Sequence, residues 1–124
     1  MVMLLKRVNS CPFCDRIERR EYDLWEWNAA VWFEPLNPVT PGHRLVVSKK
    51  HLLDITEDPD VAGEVMGCAA ELARSLRCPC NIITSIGAAA TQTVFHLHIH
   101  VVPRRPGDGL HLPWTNQYAA QTRS

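Results

Sequence analysis

The chain has no excess of either charge. Thirteen Lys and Arg residues balance thirteen Asp and Glu, so no bulk field recruits nucleic acid or an anionic membrane surface. It also has no run near the roughly 18 consecutive apolar residues that a membrane-spanning helix needs. Its opening, MVMLLKR, is too short for a secretory signal. These absences predict a cytoplasmic protein with no membrane partner. No internal repeat or low-complexity tract interrupts the sequence, and 124 residues suit one domain with a real core. A composition of 46% hydrophobic and 21% charged residues is that of an ordinary globular protein.

Cysteine is present, but in an odd number, five. In a reducing cytosol these do not form a disulfide framework, so clustered cysteines read as metal ligands. Cys11-Pro-Phe-Cys14 has the C-x-x-C spacing that sets two thiolates on one tetrahedral zinc. A redox pair of the thioredoxin kind would stand between a strand and a long helix, and that context is missing. The pair needs two more ligands, drawn from His43, His51, His96, His98, His100 and His111. Cys78-Pro-Cys80 is a rival half-site with tighter spacing.

Local patterning predicts short strands and one long helix. Val31 to Glu34 and Arg44 to Ser48 read as strands, separated by a loop in which Pro35, Pro38 and Pro41 forbid regular pairing. Asp58 can cap a helix that runs to about Arg77, with Pro59 at its first position. Val61, Val65, Ala69, Leu72 and Leu76 recur on one face of it. Gly63 and Gly67 weaken this helix by up to about 1 kcal/mol each, unless close packing offsets the cost. NIITSIG is a third strand, and Val94 to Val102 a fourth. Strands joined closely enough to pair antiparallel, with one long helix between them, make an α+β domain.

The stretch FHLHIHVV carries three histidines at alternate positions. On a strand, Phe95, Leu97, Ile99 and Val101 share one face and His96, His98 and His100 the other. Core filling is then complete without the histidines, and three in register mark a functional strand. His96 and His100 would lie about 13 Å apart on such a strand, too far for all three to ligate one ion with bonds of about 2.1 Å. The three must divide their duties among metal ligation, nucleophilic attack and hydrogen bonding to substrate.

Taken together, HLHIHVV, CPFCDRI, NPVTPGHRLVVSKKH and TQTVFHLHIHVVPR closely resemble the histidine triad (HIT) superfamily of nucleotide hydrolases and transferases, over residues 11–105 in the expected order. The resemblance implies a meander sheet of about five antiparallel strands with one long helix packed across it. It implies a single domain over residues 1–124, its core at about 11–105 and a tail over 106–124, assembled as a homodimer. His98 would attack the α-phosphorus of a nucleotide conjugate to form a nucleotidyl-histidine, later released by water. His100 and His43 would flank the phosphate, Thr93 would offer its hydroxyl, and Gln92 would shape the same loop. The zinc-bearing members imply a structural zinc held by Cys11, Cys14, His51 and His96. Phe13, Ile17, Phe33 and Leu36 would form the nucleobase pocket.

Two positions depart from the family pattern. Pro35, eight residues before His43, stands where Asp or Asn usually holds the ribose, and Ser85, eleven before His96, stands where Asn or Gln is common. Arg104 and Arg105 read either as polyphosphate contacts or as a solvated basic loop. Trp114 reads as a cover for the leaving-group side or as a dimer contact. The leading expectation is a hydrolase or nucleotidyl transferase acting on a phosphoramidate or a dinucleoside polyphosphate. The alternative is a weakly catalytic or non-catalytic nucleotide-binding scaffold. A zinc-dependent nucleic-acid module is disfavoured by zero formal charge.

Overall fold

The structure, a computed structural model, describes residue 8 and residues 10–115. The opening MVMLLKR and the tail beyond residue 115 lie outside the described residues. Two helices and four strands follow in the order α1 (Pro12–Glu18), β1 (Ala30–Phe33), β2 (Arg44–Ser48), α2 (Pro59–Leu76), β3 (Cys80–Ile83) and β4 (His98–Pro103). All pairings are antiparallel, and the spatial order is β1-β2-β4-β3.

The α+β class and the antiparallel sheet agree with the sequence reading. The described strands number four rather than about five, and one step departs from a meander. The chain leaves β2, crosses through α2 to the far edge as β3, and returns as β4 into the gap. The two central strands are thereby the apolar ones. In β2, Leu45, Val46, Val47 and Ser48 are all buried, because both faces of the sheet are covered. Val46, Ile99 and Val101 pack beneath Ala62, Val65, Ala69 and Leu72 of α2. Val31, Phe33, Leu45 and Val47 pack against Phe13 and Cys14 of α1 on the opposite face.

Helix α2 begins as its sequence dictates. The Asp58 side chain accepts the Val61 N–H at 3.2 Å, and Pro59 supplies a preset φ without an orphan donor. Arg77 ends it in a left-handed conformation, φ 54°. Gly63 and Gly67 are exposed, and a methyl group added at either meets nothing within 4 Å. Close packing therefore does not explain them.

β4 begins at His98, not Val94. The ladder stops at Leu97, whose carbonyl still accepts from the Ser48 N–H at 3.1 Å in register with β2, while its N–H donates instead to the Leu52 carbonyl at 2.7 Å. Leu97, Ile99 and Val101 enter the core as expected, whereas Phe95 is 46% exposed and does not.

Because only helix propensity acts at the two exposed glycines, Gly63→Ala and Gly67→Ala should each raise unfolding free energy by up to about 1 kcal/mol. Urea unfolding of the zinc-loaded protein measures this. No gain at either position would mean that the glycines serve a contact outside the described chain.

Candidate functional site

Cys11 sits at the N-cap of α1 in an extended conformation, and its Sγ accepts the Cys14 N–H at 3.3 Å. The next helical turn brings Cys14 to the same side. His51 follows β2 directly, and His96 occupies the bend before β4, so the β2–β4 pairing brings both rings under α1. The His96 Nε2–H donates to the Ser48 carbonyl at 2.7 Å. That bond fixes the tautomer and turns Nδ1 toward the thiols.

The His96 Nδ1 lies 3.4 Å from Cys11 Sγ, 3.5 Å from Cys14 Sγ and 3.1 Å from His51 Nδ1. Cys14 Sγ lies 3.2 Å from His51 Nδ1, and all four ligand atoms fall within 4.8 Å of one another. A tetrahedral zinc with bonds of about 2.1 Å to nitrogen and 2.3 Å to sulfur requires edges of about 3.4 to 3.8 Å. Those four separations lie within a few tenths of an ångström of such edges, and the 4.8 Å limit on the rest leaves at most about 1 Å to close, so the residues fit such an ion. Burial holds His96 at a pKa of about 4, with the Ser48 hydrogen bond opposing it. Its ring is therefore in the neutral form that a metal accepts. Cys11, Cys14, His51 and His96 form a possible metal site, the set implied by the resemblance. The rival pair, Cys78 and Cys80, meets none of the histidines in the ligand group found among the described residues. His111 is exposed and outside that group.

His98 and His100 project from β4 toward the α1 face. The His98 Nδ1–H donates to the His96 carbonyl at 2.7 Å, which leaves a lone pair on Nε2. Burial lowers the His98 pKa and so favours the neutral ring. Its ring meets the rings of Phe13 at 5.1 Å and His100 at 5.2 Å, both edge to face.

A second chain of bonds sets the neighbouring tautomers. The Val39 N–H donates to His43 Nδ1 at 3.1 Å, which puts the His43 proton on Nε2. That N–H donates to His100 Nδ1 at 3.0 Å, leaving His100 with its proton on Nε2. Burial, then the neighbouring His98 and His43, lowers His100 to about 4, and burial lowers His43 as well. A neutral lone pair on His98 and a neutral N–H on His100 thus occur side by side. His43 is buried and its Nε2–H is engaged by His100.

Gln92 is buried and fully committed. Its Oε1 accepts the Gly87 N–H at 2.8 Å, and its Nε2 donates to the Leu53 and Val94 carbonyls at 2.8 and 3.1 Å. These bonds brace the loop and engage both side-chain amide hydrogens of Gln92. Thr93 is exposed and lines a cleft of about 360 Å³ with Cys11, His51 and Phe95. Ser85 is half-buried beyond β3. Phe13, Ile17 and Phe33 share one apolar cluster, while Leu36 is 89% exposed and lies outside it.

Arg104 is a structural clamp. It binds Asp108 through two bonds of 2.8 and 3.0 Å, and also reaches Asn81 and the Leu110 carbonyl. The Arg104 guanidinium, with the Arg105 and Leu110 N–H groups, holds the Asp108 carboxyl far below the usual range. Arg105 is exposed and donates to Thr40 at 3.1 Å. Trp114 is exposed. The carbonyl of Ser48 and the N–H of Val39, which orient three rings, had no sequence signal because any residue supplies such atoms.

The metal site also anchors α1, which has only seven residues and buries Phe13 and Cys14. About one zinc per chain is expected, falling to near zero in Cys11→Ser or His51→Ala protein. Chelation should lower the melting temperature and expose Arg16 and Arg19 to trypsin, because α1 loses its tether. Metal analysis and limited proteolysis check this. Equimolar zinc that persisted in both variants would refute the ligand assignment.

The model of the HIT domain matches residues 21–107. An uncharacterized HIT-like protein of Mycobacterium tuberculosis is 35% identical over 108 residues, covering 81% of this chain and 75% of its own. The adenylylsulfatase HINT3 of Arabidopsis thaliana is 30% identical over 110 residues, covering 82% of this chain and 56% of its own. Among solved structures, a zinc-bound histidine triad family protein from Mycobacterium smegmatis is 34% identical with a TM-score of 0.66, over 83% of this chain and 81% of that one. Since the match spans well over half of the sequence, the chain belongs to the HIT domain family.

Proposed function

We propose that the protein is a nucleotide hydrolase or nucleotidyl transferase acting at the α-phosphate of a nucleotide conjugate, with His98 as nucleophile. The observation that carries this reading is the tautomer of His98, whose Nδ1–H is spent on the His96 carbonyl and whose Nε2 is free to attack. Nε2 forms a bond to phosphorus as the bond to the leaving group breaks. The positive charge that develops on the imidazole is met by the His96 carbonyl, already in place. Water then displaces His98 and releases the nucleotide. The Nε2–H of His100 donates to a phosphoryl or leaving-group oxygen, and His43 holds it there. Zinc, when bound, takes no part in bond making and fixes the backbone around His96. The adenylylsulfatase relative supports the class, since an adenylyl conjugate is a nucleotide with a leaving group on its α-phosphate.

On this reading Phe13, Ile17 and Phe33 receive the base, Leu36 gives at most an outer wall, and Thr93 and Ser85 approach the phosphate from the loops. A second copy of the chain pairs along the free edge of β3, where Ile82 and Ile83 are exposed. No helix among the described residues is long and apolar enough to cross a membrane, and a cytoplasmic location is consistent with that.

The decisive experiment offers adenosine 5′-phosphoramidate, diadenosine polyphosphates and adenylyl sulfate, with a base quench and intact-mass detection of an AMP adduct. His98→Gly should abolish the adduct and lower turnover by at least about 10³-fold. His43→Ala should lower it by about 10²-fold through misorientation of His100. An adduct surviving in His98→Gly would overturn the assignment, and none with any substrate would favour a binding protein. Light scattering should give twice the chain mass, and Ile82→Lys should shift it toward one; a monomeric wild type would end the dimer proposal.

A further inference from the structure

Two of the five cysteines lie outside the zinc ligand set and are not fully buried, although Cys80 packs against the edge of the core. Cys78 is exposed and Cys80 half-buried, with their sulfurs 4.0 Å apart. Several features of the chain hold them in that relation. Arg77 turns the backbone sharply out of α2 in a left-handed conformation. Pro79 fixes its own φ and biases Cys78 toward an extended one. An extended tripeptide points its first and third side chains the same way. The Arg104 N–H donates to the Pro79 carbonyl at 2.8 Å, and Cys80 stands opposite Pro103 in the β3–β4 ladder. The Cys80 thiol also donates to the Cys78 carbonyl at 3.4 Å. The two sulfurs are therefore ordered before any ligand arrives, which lowers the entropic cost of chelation.

We propose that Cys78 and Cys80 form a second metal site, at the surface, that captures a soft monovalent d¹⁰ cation of the Cu(I) class. The separation supports a shared ion. Two thiolates on one metal at about 2.3 Å stand about 3.8 Å apart at a tetrahedral angle and about 4.6 Å apart when linear. A disulfide, by contrast, needs the sulfurs to close by about 2 Å. The ligand count chooses the ion. No third histidine, cysteine or carboxylate joins the pair among the described residues, which leaves zinc short of its four ligands. Thiolate ligands select Cu(I) on softness. Binding replaces two thiol protons by one cation, so the bis-thiolate complex carries one net negative charge. Burial, then the neighbouring Cys78 thiol, pushes the Cys80 pKa up, while the Arg44 guanidinium pulls it down and would balance that charge. Arg44 itself is held by stacking on Trp32 at 4.7 Å.

The test uses full-length, zinc-loaded protein under anaerobic, reducing conditions, titrated with Cu(I) against bicinchoninate. The wild type should take up about one Cu(I) per chain while keeping its zinc. Cys78→Ser/Cys80→Ser protein should keep its zinc and take up none at the same competitor concentration. Absorption spectroscopy at the copper edge should report sulfur neighbours only in the wild type. The proposal is overturned if the wild type binds no Cu(I). It is equally overturned if uptake releases zinc stoichiometrically, or if the double variant binds as much as the wild type.

Discussion

The site depends on three bonds made by a single residue, His96. Its Nε2–H is given to the Ser48 carbonyl, its Nδ1 faces Cys11, Cys14 and His51, and its own carbonyl accepts the His98 N–H. The first bond determines the second, because a neutral imidazole has one donor and one acceptor. The third transmits the arrangement to the next histidine on the same face. An ion drawing Nδ1 inward fixes the backbone whose carbonyl fixes His98. Metal and imidazole chemistry are thus joined through a peptide group with no shared ligand. Under the proposed function, this is how a buried structural site governs a neighbouring reactive one.

The same economy of protons runs through His43 and His100. No carboxylate among the described residues hydrogen-bonds to either ring; each is oriented by a backbone N–H or another imidazole. A carboxylate would raise the pKa of such rings and favour the cation. Burial without one does the reverse, and His100 is held at about 4. A cluster of neutral rings suits displacement at phosphorus, since an imidazolium has no lone pair to attack with. It also avoids the mutual repulsion that charged rings 5.2 Å apart would suffer.

Much of this was legible in the sequence where a local rule was decisive. Asp58-Pro59 opened α2 as read, β2 was placed at Arg44 to Ser48, and the face of α2 through Val65, Ala69 and Leu72 was apolar by spacing alone. The zinc ligands came from the resemblance, because spacing offers six histidines as partners for Cys11 and Cys14 and does not choose among them. Alternation misled at one end of β4. It extended the strand back to Val94 and buried Phe95, whereas the bond from the Leu97 N–H to the Leu52 carbonyl, distant in sequence, turns that segment off the ladder. The crossover that inserts β4 between β2 and β3 was equally invisible, being a property of long-range pairing. His43 illustrates the last kind of gap: its bond to His100, 57 residues away in sequence, had no local signal.

Of the two family departures, Pro35 falls on the side of the site that is least enclosed. Glu34 and Leu36 are exposed, and Pro35 between them offers no acceptor. The imidazole side, in contrast, is braced by Gln92, Val39, Ser48 and Phe13 through specific bonds and ring contacts. Under the proposed function, that asymmetry divides selectivity. Interactions at the phosphorus are preorganised and belong to the transition state, so they act on rate. The sugar meets a solvated boundary that contributes mostly uniform binding, which alters affinity more than turnover. Discrimination between leaving groups should therefore exceed discrimination between ribose and deoxyribose, because the rigid half of the site is the half that meets the breaking bond.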